Sequence, residues 1–184
     1  MDALAELEIY NSRPFAPTRR LAIGESNLPV DPAPGPGGVL LGAVVANYRH
    51  ELDDDLFEHD GQITKAEVRA ITLASLNPRP GELLWDIGCG SGSVAIEWLL
   101  ARSDVRAVAV DKNKTRLERT IANAADLGVP RLKAVLGPAP DIFSDLPEPH
   151  AIFLGGGASD PAIINSAWDR LRSGGRLVGN GVTL

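Results

Sequence analysis

The segment Leu83-Leu84-Trp85-Asp86-Ile87-Gly88-Cys89-Gly90-Ser91-Gly92-Ser93 constrains this chain more than any other. It reads as a short buried strand that runs into a glycine-rich turn and then into a helix from Val94 to about Ala101. Gly88, Gly90 and Gly92 carry no Cβ, so the backbone there can take positive φ and come close to a ligand. Asp86 stands at the strand end. A second carboxylate, Asp111, ends the next apolar run, Ala107-Val108-Ala109-Val110. Carboxylates at the carboxyl ends of neighbouring parallel strands suit a nucleoside-bearing cofactor.

The rest of the chain divides in two. Pro29, Pro32, Pro34 and Pro36, with Gly35, Gly37 and Gly38, cannot sustain helix or sheet. Residues 1–55 are therefore expected to form an extension or linker, and 56–184 the folded domain. Thr64-Lys65-Ala66-Glu67 has the pattern of a capping box and predicts a helix from Lys65 to near Leu76. Strands are expected at Leu83–Ile87, Val105–Val110, Leu132–Leu136, Ala151–Leu154 and Arg176–Val178, the last with an extension to Val182 left open. A helix from Lys114 is stopped by Gly128, and one opened by Asp160-Pro161 is stopped by Gly174-Gly175. Strands that alternate with helices predict an α/β domain, a parallel sheet covered on both faces. The text then stops after the fifth strand. The last two edge strands are not read from the text, so either the chain is a fragment or something else covers an edge that would otherwise carry unpaired backbone groups.

With 184 residues the chain can build one real core. Its formal net charge of −6 argues against a nucleic-acid partner held by phosphate contacts. The single cysteine, Cys89, rules out an internal disulfide and suits a cytoplasmic location. No run reaches transmembrane length, and the apolar stretch from Val39 to Ala46 is expected to be too short and too far in for a signal peptide.

The glycine spacing separates two kinds of cofactor. A dinucleotide site needs G-x-G-x-x-G, with a helix N-terminus facing a pyrophosphate. Here the third fingerprint position is Ser93 and the spacing is G-x-G-x-G. This D-x-G-x-G-x-G turn resembles that of class I methyltransferases, a Rossmann-like fold that binds S-adenosyl-L-methionine. Three segments narrow the resemblance: His59 to Ala70, Leu84 to Trp98, and Ile152-Phe153-Leu154-Gly155-Gly156-Gly157. Over about Asp54 to Val182 they resemble the decarboxylating precorrin methyltransferases of cobalamin biosynthesis. The resemblance implies methyl transfer to carbon 15 of a tetrapyrrole, loss of carbon dioxide from the ring C acetate, and a homotetramer. It places Gly88, Cys89, Gly90, Ser91 and Gly92 around the cofactor, Cys89 and Ser91 through their backbone alone. It also places Thr64 against the cofactor, Asp111 on the ribose hydroxyls, and the Ala139 N–H on the adenine. Pro138 stands where the family often carries an acidic residue.

Other readings compete at several positions. Asp111 is also placed to cap the following helix, and Thr64 to cap the helix at Lys65. Gly155 to Gly157 suit either room for a large flat substrate or a flexible loop. Lys65, Arg69 and Arg79 are candidates for the substrate's carboxylates or solvated charges, and His59 is a candidate proton donor or a structural residue. No catalytic acid or base and no metal ligand stands out. The competing functions are a methyltransferase acting on another substrate such as tRNA, and a non-catalytic domain that binds cofactor or assembles with a partner.

Overall fold

The computed structural model describes residues 52–182, with side chains over 52–180, and the backbone of two N-terminal strands, β1 (Ala5–Asn11) and β2 (Arg19–Ala22). The Pro/Gly-rich segment 29–38 and the apolar stretch 39–46 lie outside the described residues. The remaining elements are α1 (Ala66–Leu76), β3 (Leu83–Ile87), α2 (Ser93–Ala101), β4 (Arg106–Asp111), α3 (Lys114–Asp126), β5 (Lys133–Leu136), β6 (Ala151–Leu154), α4 (Pro161–Arg170) and β7 (Arg176–Val182). The sheet order is β2-β1-β7-β6-β3-β4-β5. The five strands from β3 to β7 are parallel, as expected of the Rossmann-like methyltransferase class.

The outer edge of the fifth parallel strand is not left open. β1 pairs antiparallel along the whole of β7, and β2 pairs antiparallel with β1. The unpaired N–H and C=O row expected there is satisfied by an N-terminal segment, which sequence periodicity did not announce. β7 also runs the full length to Val182, because a paired edge carries the strand through Gly179 and Gly181.

Strand alternation sorts the core onto two faces. Leu84, Ala107, Ala109, Phe153 and Val178 face α1, α2 and α3. Leu83, Trp85, Ile87, Val108, Val110, Ile152, Leu154 and Leu177 face α4 and the turn at residues 141–145. β3 is buried along its whole length because strands flank it on both sides and helices cover both faces. The Trp85 indole N–H donates to Pro147 O at 3.0 Å and the Trp98 indole N–H to Arg106 O at 3.0 Å, so neither large ring strands a donor.

Helix ends follow local chemistry with one exception. Asn113 caps α3, accepting from Thr115 N and Arg116 N, and Asp160 caps α4 through Ala162 N, with Pro161 in the first turn. The capping box at Thr64 does not form. The N-cap of α1 is Lys65 and receives no side-chain bond. The Thr64 carbonyl accepts instead from Arg69 Nη1 at 2.6 Å, which draws the segment across the helix end.

At the amino end of the sheet, Arg176 is buried and ties three elements together. Its Nε donates to Leu76 O at 2.6 Å, its Nη1 donates to Glu82 Oε1 at 2.9 Å, and its Nη2 donates to Glu82 Oε2 and Asn77 O. Burial alone would raise the Glu82 carboxyl. The hydrogen bonds and charge of Arg176 outweigh that and hold it below its ordinary 4.5. A depressed carboxyl stabilises the fold above its unfolded pKa and loses that contribution as pH falls through the folded value. Arg176→Met leaves Glu82 buried without its partner, so it should cost about 3–5 kcal/mol in urea unfolding at pH 7. The deficit should shrink as pH falls toward the ordinary 4.5, because burial without Arg176 raises Glu82 and lets it protonate in the variant.

Candidate cofactor site

The strand register lines up the carboxyl ends. Ile87 stands beside Val110 and Leu154, Asp111 beside Leu136, and Leu154 beside Gly179. The residues that follow, Gly88, Gly137, Gly155 and Asn180, thus lie with Asp111 along one rim. A cavity of about 610 Å³ opens there, a volume within the range of small-molecule sites.

The glycine turn is held mainly by the end of β4. Gly88 N and Cys89 N donate to Val110 O at 2.8 and 3.1 Å, Gly90 N donates to Asp111 Oδ2 at 3.1 Å, and Gly92 N donates to Cys89 O at 2.7 Å. Gly88, Gly90 and Gly92 all adopt positive φ. A phosphate-binding turn keeps its N–H groups for the ligand. This one has committed four of them, so its glycines serve close approach rather than donation.

Asp111 bridges the turn and the start of α3. Its Oδ1 accepts from Asn113 N at 2.8 Å while Oδ2 holds Gly90 N. Since Asn113 caps α3, Asp111 is not the helix cap. Its carboxylate is buried, lines the cavity, and keeps further lone pairs for a ligand. Asp86 Oδ2 accepts from Ala95 N at 3.1 Å, while its Oδ1 is buried with no partner among the described residues. Burial lifts the Asp86 acid from 3.8 to about 7, with a smaller push from Asp111, and the Ala95 bond opposes both. Burial pushes the Cys89 thiol well above its ordinary range, and its Sγ lies 3.5 Å from Thr120 Oγ1. A thiol so protonated is no nucleophile.

Gly155 to Gly157 line the cavity, and the first two also pack against the end of β3. Gly155 N and Gly156 N both donate to Ile87 O, at 2.9 and 3.2 Å. A Cβ on Gly88 would stand 2.8 Å from Gly156 N, and one on Gly155 would stand 3.0 Å from Gly88 O. The ends of β3 and β6 pack backbone on backbone, which side chains would prevent.

The cavity collects Thr64, Gly88, Cys89, Gly90, Ser91, Asp111 and Ala139. Gly92 is absent from its lining; a Cβ there would lie 2.6 Å from Thr120 Cγ2, so that glycine serves the packing of α3. Ala139 N has no acceptor among the described residues. Lys65 reaches the rim, paired with Asp54 at 3.2 Å. Arg69 does not reach it. It is fully buried, with Nε on Glu97 Oε1 at 2.5 Å, Nη1 on Asp54 Oδ1 at 3.0 Å, and its guanidinium over the Phe57 ring. Arg79 lies in the loop before β3, at the opposite end of the sheet. The His59 Nδ1 accepts from Gly61 N at 3.0 Å, which makes it a turn residue.

Two residues that fasten the site from outside its lining escaped the sequence reading, as did the lining residue Asn180. Thr120 Oγ1 donates to Gly90 O at 3.0 Å. Asn123 donates to Ser91 O and Glu58 O, both at 2.9 Å, and accepts from Glu58 N. Both are buried on the α3 face that carries Leu117 and Ala124. Polar residues within an apolar helical stripe were the available signal. They fasten the glycine turn and the strap at residues 58–64 to one helix. The glycine packing makes a sharp contrast testable. Gly88→Ala should lose about 1–3 kcal/mol in chemical unfolding. Gly156→Ala should lose under about 0.5 kcal/mol, because its Cβ would meet nothing nearer than 3.7 Å.

Comparison with known proteins places this geometry. Residues 55–184 match the family described as precorrin methyltransferase domain. A Sinorhizobium protein named precorrin-6Y C(5,15)-methyltransferase [decarboxylating] is 55% identical over 131 residues, 71% of this chain and 32% of that protein. The chain thus spans about a third of the length of the precorrin-6Y relatives it matches. A Pyrobaculum calidifontis protein named probable cobalt-precorrin-6B C(15)-methyltransferase (decarboxylating) is 41% identical, over 72% of this chain and 70% of its own. The crystal structure of the C-terminal domain of precorrin-6Y C5,15-methyltransferase from Rhodobacter capsulatus superposes with a TM-score of 0.67 at 48% identity, covering 73% of this chain and 72% of that one. With the parallel sheet, the committed glycine turn and Asp111 at one rim, these matches lead to one conclusion: the chain belongs to the precorrin methyltransferase domain family.

Proposed function

We propose that this chain is an S-adenosyl-L-methionine-dependent C-methyltransferase that methylates carbon 15 of a precorrin and removes carbon dioxide from its ring C acetate. The observation that carries the reading is the single cavity in which the glycine turn, Asp111 and the β6 glycines meet, in a chain of this family.

The residues present fit the cofactor. Asp111 offers two acceptor oxygens for a ribose diol, and Ala139 offers a free N–H for an adenine ring nitrogen. Gly88 and Gly90 let the chain come close, and Asp86 Oδ1, buried and unpartnered, suits the ammonium of the methionine part. Thr64 borders the same space from the strap. When bound, the cofactor supplies an electrophilic sulfonium methyl. An electron-rich ring carbon needs no strong base to accept it. Alignment of the two reactants then does most of the work. In the second reaction the bond from the acetate methylene to its carboxylate breaks. Carbon dioxide leaves, the electron pair enters the conjugated macrocycle, and a proton from water completes the methyl group. The family resemblance extends the reading to a cytoplasmic homotetramer. The acidic net charge of −6 and the β6 glycines weigh against a nucleic-acid substrate.

Calorimetric titration with S-adenosylhomocysteine tests the site. Asp111→Ala should weaken binding at least tenfold, since bonds to a charged group are worth about 1.5–3 kcal/mol each. Unchanged affinity would sink the ribose assignment. The pH dependence has a defined sign. The neutral acid suits the buried Asp86 site, so the stability it confers is whole below its ordinary 3.8 and is lost as pH rises through about 7. Pairing with an ammonium needs the carboxylate, so S-adenosylhomocysteine affinity should fall as pH drops from 8 to 6. That slope should flatten in Asp86→Asn.

A further inference from the structure

The cavity has two halves of different chemistry. Over β4 and β5 stand Asp111, Lys112, Arg116 and Ala139, the polar half assigned to the nucleoside. Over β6 and β7 stand Phe153, the three glycines and Asn180, joined by Val68 from α1 and Ile163 from α4. In this second half Asn180 is a neutral side chain able to hydrogen-bond a ligand from within the apolar wall. It lies at the carboxyl end of β7, in the same rim as Gly155, and its amide is held at one end. Thr72 Oγ1, fully buried on α1, shares its proton between Val68 O at 2.8 Å and Asn180 Oδ1 at 3.3 Å. That leaves Asn180 Nδ2 as a donor with no partner among the described residues.

We propose that Asn180 binds the acceptor's departing carboxylate, and that Thr72 is its positioning residue. The inference rests on the decarboxylating reading above and adds the group that orients the carboxylate. Its physical basis is the charge change along the reaction. A carboxylate that leaves as carbon dioxide gives up its negative charge to the macrocycle. A cation against it stabilises the starting state more than the transition state and slows the loss. A neutral amide donor fixes the orientation without that penalty. The cations near this half are placed accordingly. Lys65 is at the rim, its side chain 62% exposed and paired with Asp54, while Arg69 is sequestered by Glu97. Val68, Phe153 and Ile163 supply apolar surroundings that favour dispersing the charge.

The test uses the whole 184-residue chain with a tetrapyrrole acceptor labelled in the ring C acetate carboxyl. Released carbon dioxide, methyl transfer and S-adenosylhomocysteine affinity are measured in parallel. Asn180→Ala should lower carbon dioxide release about tenfold, the lower end for one hydrogen bond to a charged group, and leave S-adenosylhomocysteine affinity within about twofold. Asn180→Asp should lose more, because a second carboxylate repels the first. Thr72→Val, which keeps the shape, should give a smaller loss of the same kind. Wild-type rates of carbon dioxide release in Asn180→Ala would overturn the assignment while leaving the methyltransferase reading intact. Equal loss of cofactor affinity and turnover would also overturn it, by showing a merely structural role. A wild-type chain that binds S-adenosylhomocysteine yet neither methylates nor decarboxylates the acceptor would overturn the parent reading, and this one with it.

Discussion

The site depends on how the end of β4 grips the turn after β3. Val110 O takes two N–H groups from the turn, and Asp111 Oδ2 takes a third. A tight turn with three positive-φ residues would be a liability if left to itself, since each such residue costs backbone entropy on folding. Here its N–H groups are satisfied by the strand that also carries the Asp111 carboxylate. The geometry of the cofactor pocket and the stability of the β3–β4 junction are therefore one interaction. The helix α3 adds the outer layer through Thr120 and Asn123, which hold the turn's carbonyls.

A second junction closes the site from the other side. The strap at residues 58–64 has little packing of its own, yet it forms part of the cavity wall. Arg69 anchors its end by taking Thr64 O, and Glu97 on α2 holds Arg69 in turn. A buried arginine–glutamate pair is weak evidence for net stability, because desolvation offsets most of the attraction. Its use here is geometric: it makes the position of Thr64 a consequence of how α1 packs on α2. Asp60, paired with Arg116 and Arg119, repeats the arrangement on the solvent side.

The parallel sheet was legible because each element carried its own signal. Five apolar runs of strand length alternate with helical segments and are punctuated by Gly and Pro. The glycine turn and Asp111 were legible for the same reason, since both lie next to strand ends defined by local composition. Less was legible where roles are made by distant partners. Thr64-Lys65-Ala66-Glu67 has the letters of a capping box, and Arg69, which the local pattern does not mention, draws Thr64 into another bond. Gly155 to Gly157 offered two local readings, and the structure supplied a third, in which Gly88 stands against them. The pairing along β7 comes from residues more than a hundred and fifty positions away.

By itself, then, the chain's text determined the class of fold, the strand that ends in the glycine turn and the kind of cofactor that spacing admits. Those properties follow from backbone freedom and hydrophobic period, which neighbouring residues decide among themselves. Only the tertiary structure decided which polar groups remain free. Whether a donor or carboxylate is available to a ligand depends on what the rest of the chain has already bonded. The turn's spent N–H groups, the unpartnered Asp86 Oδ1, the sequestered Arg69 and the half-held amide of Asn180 are all facts of long-range packing.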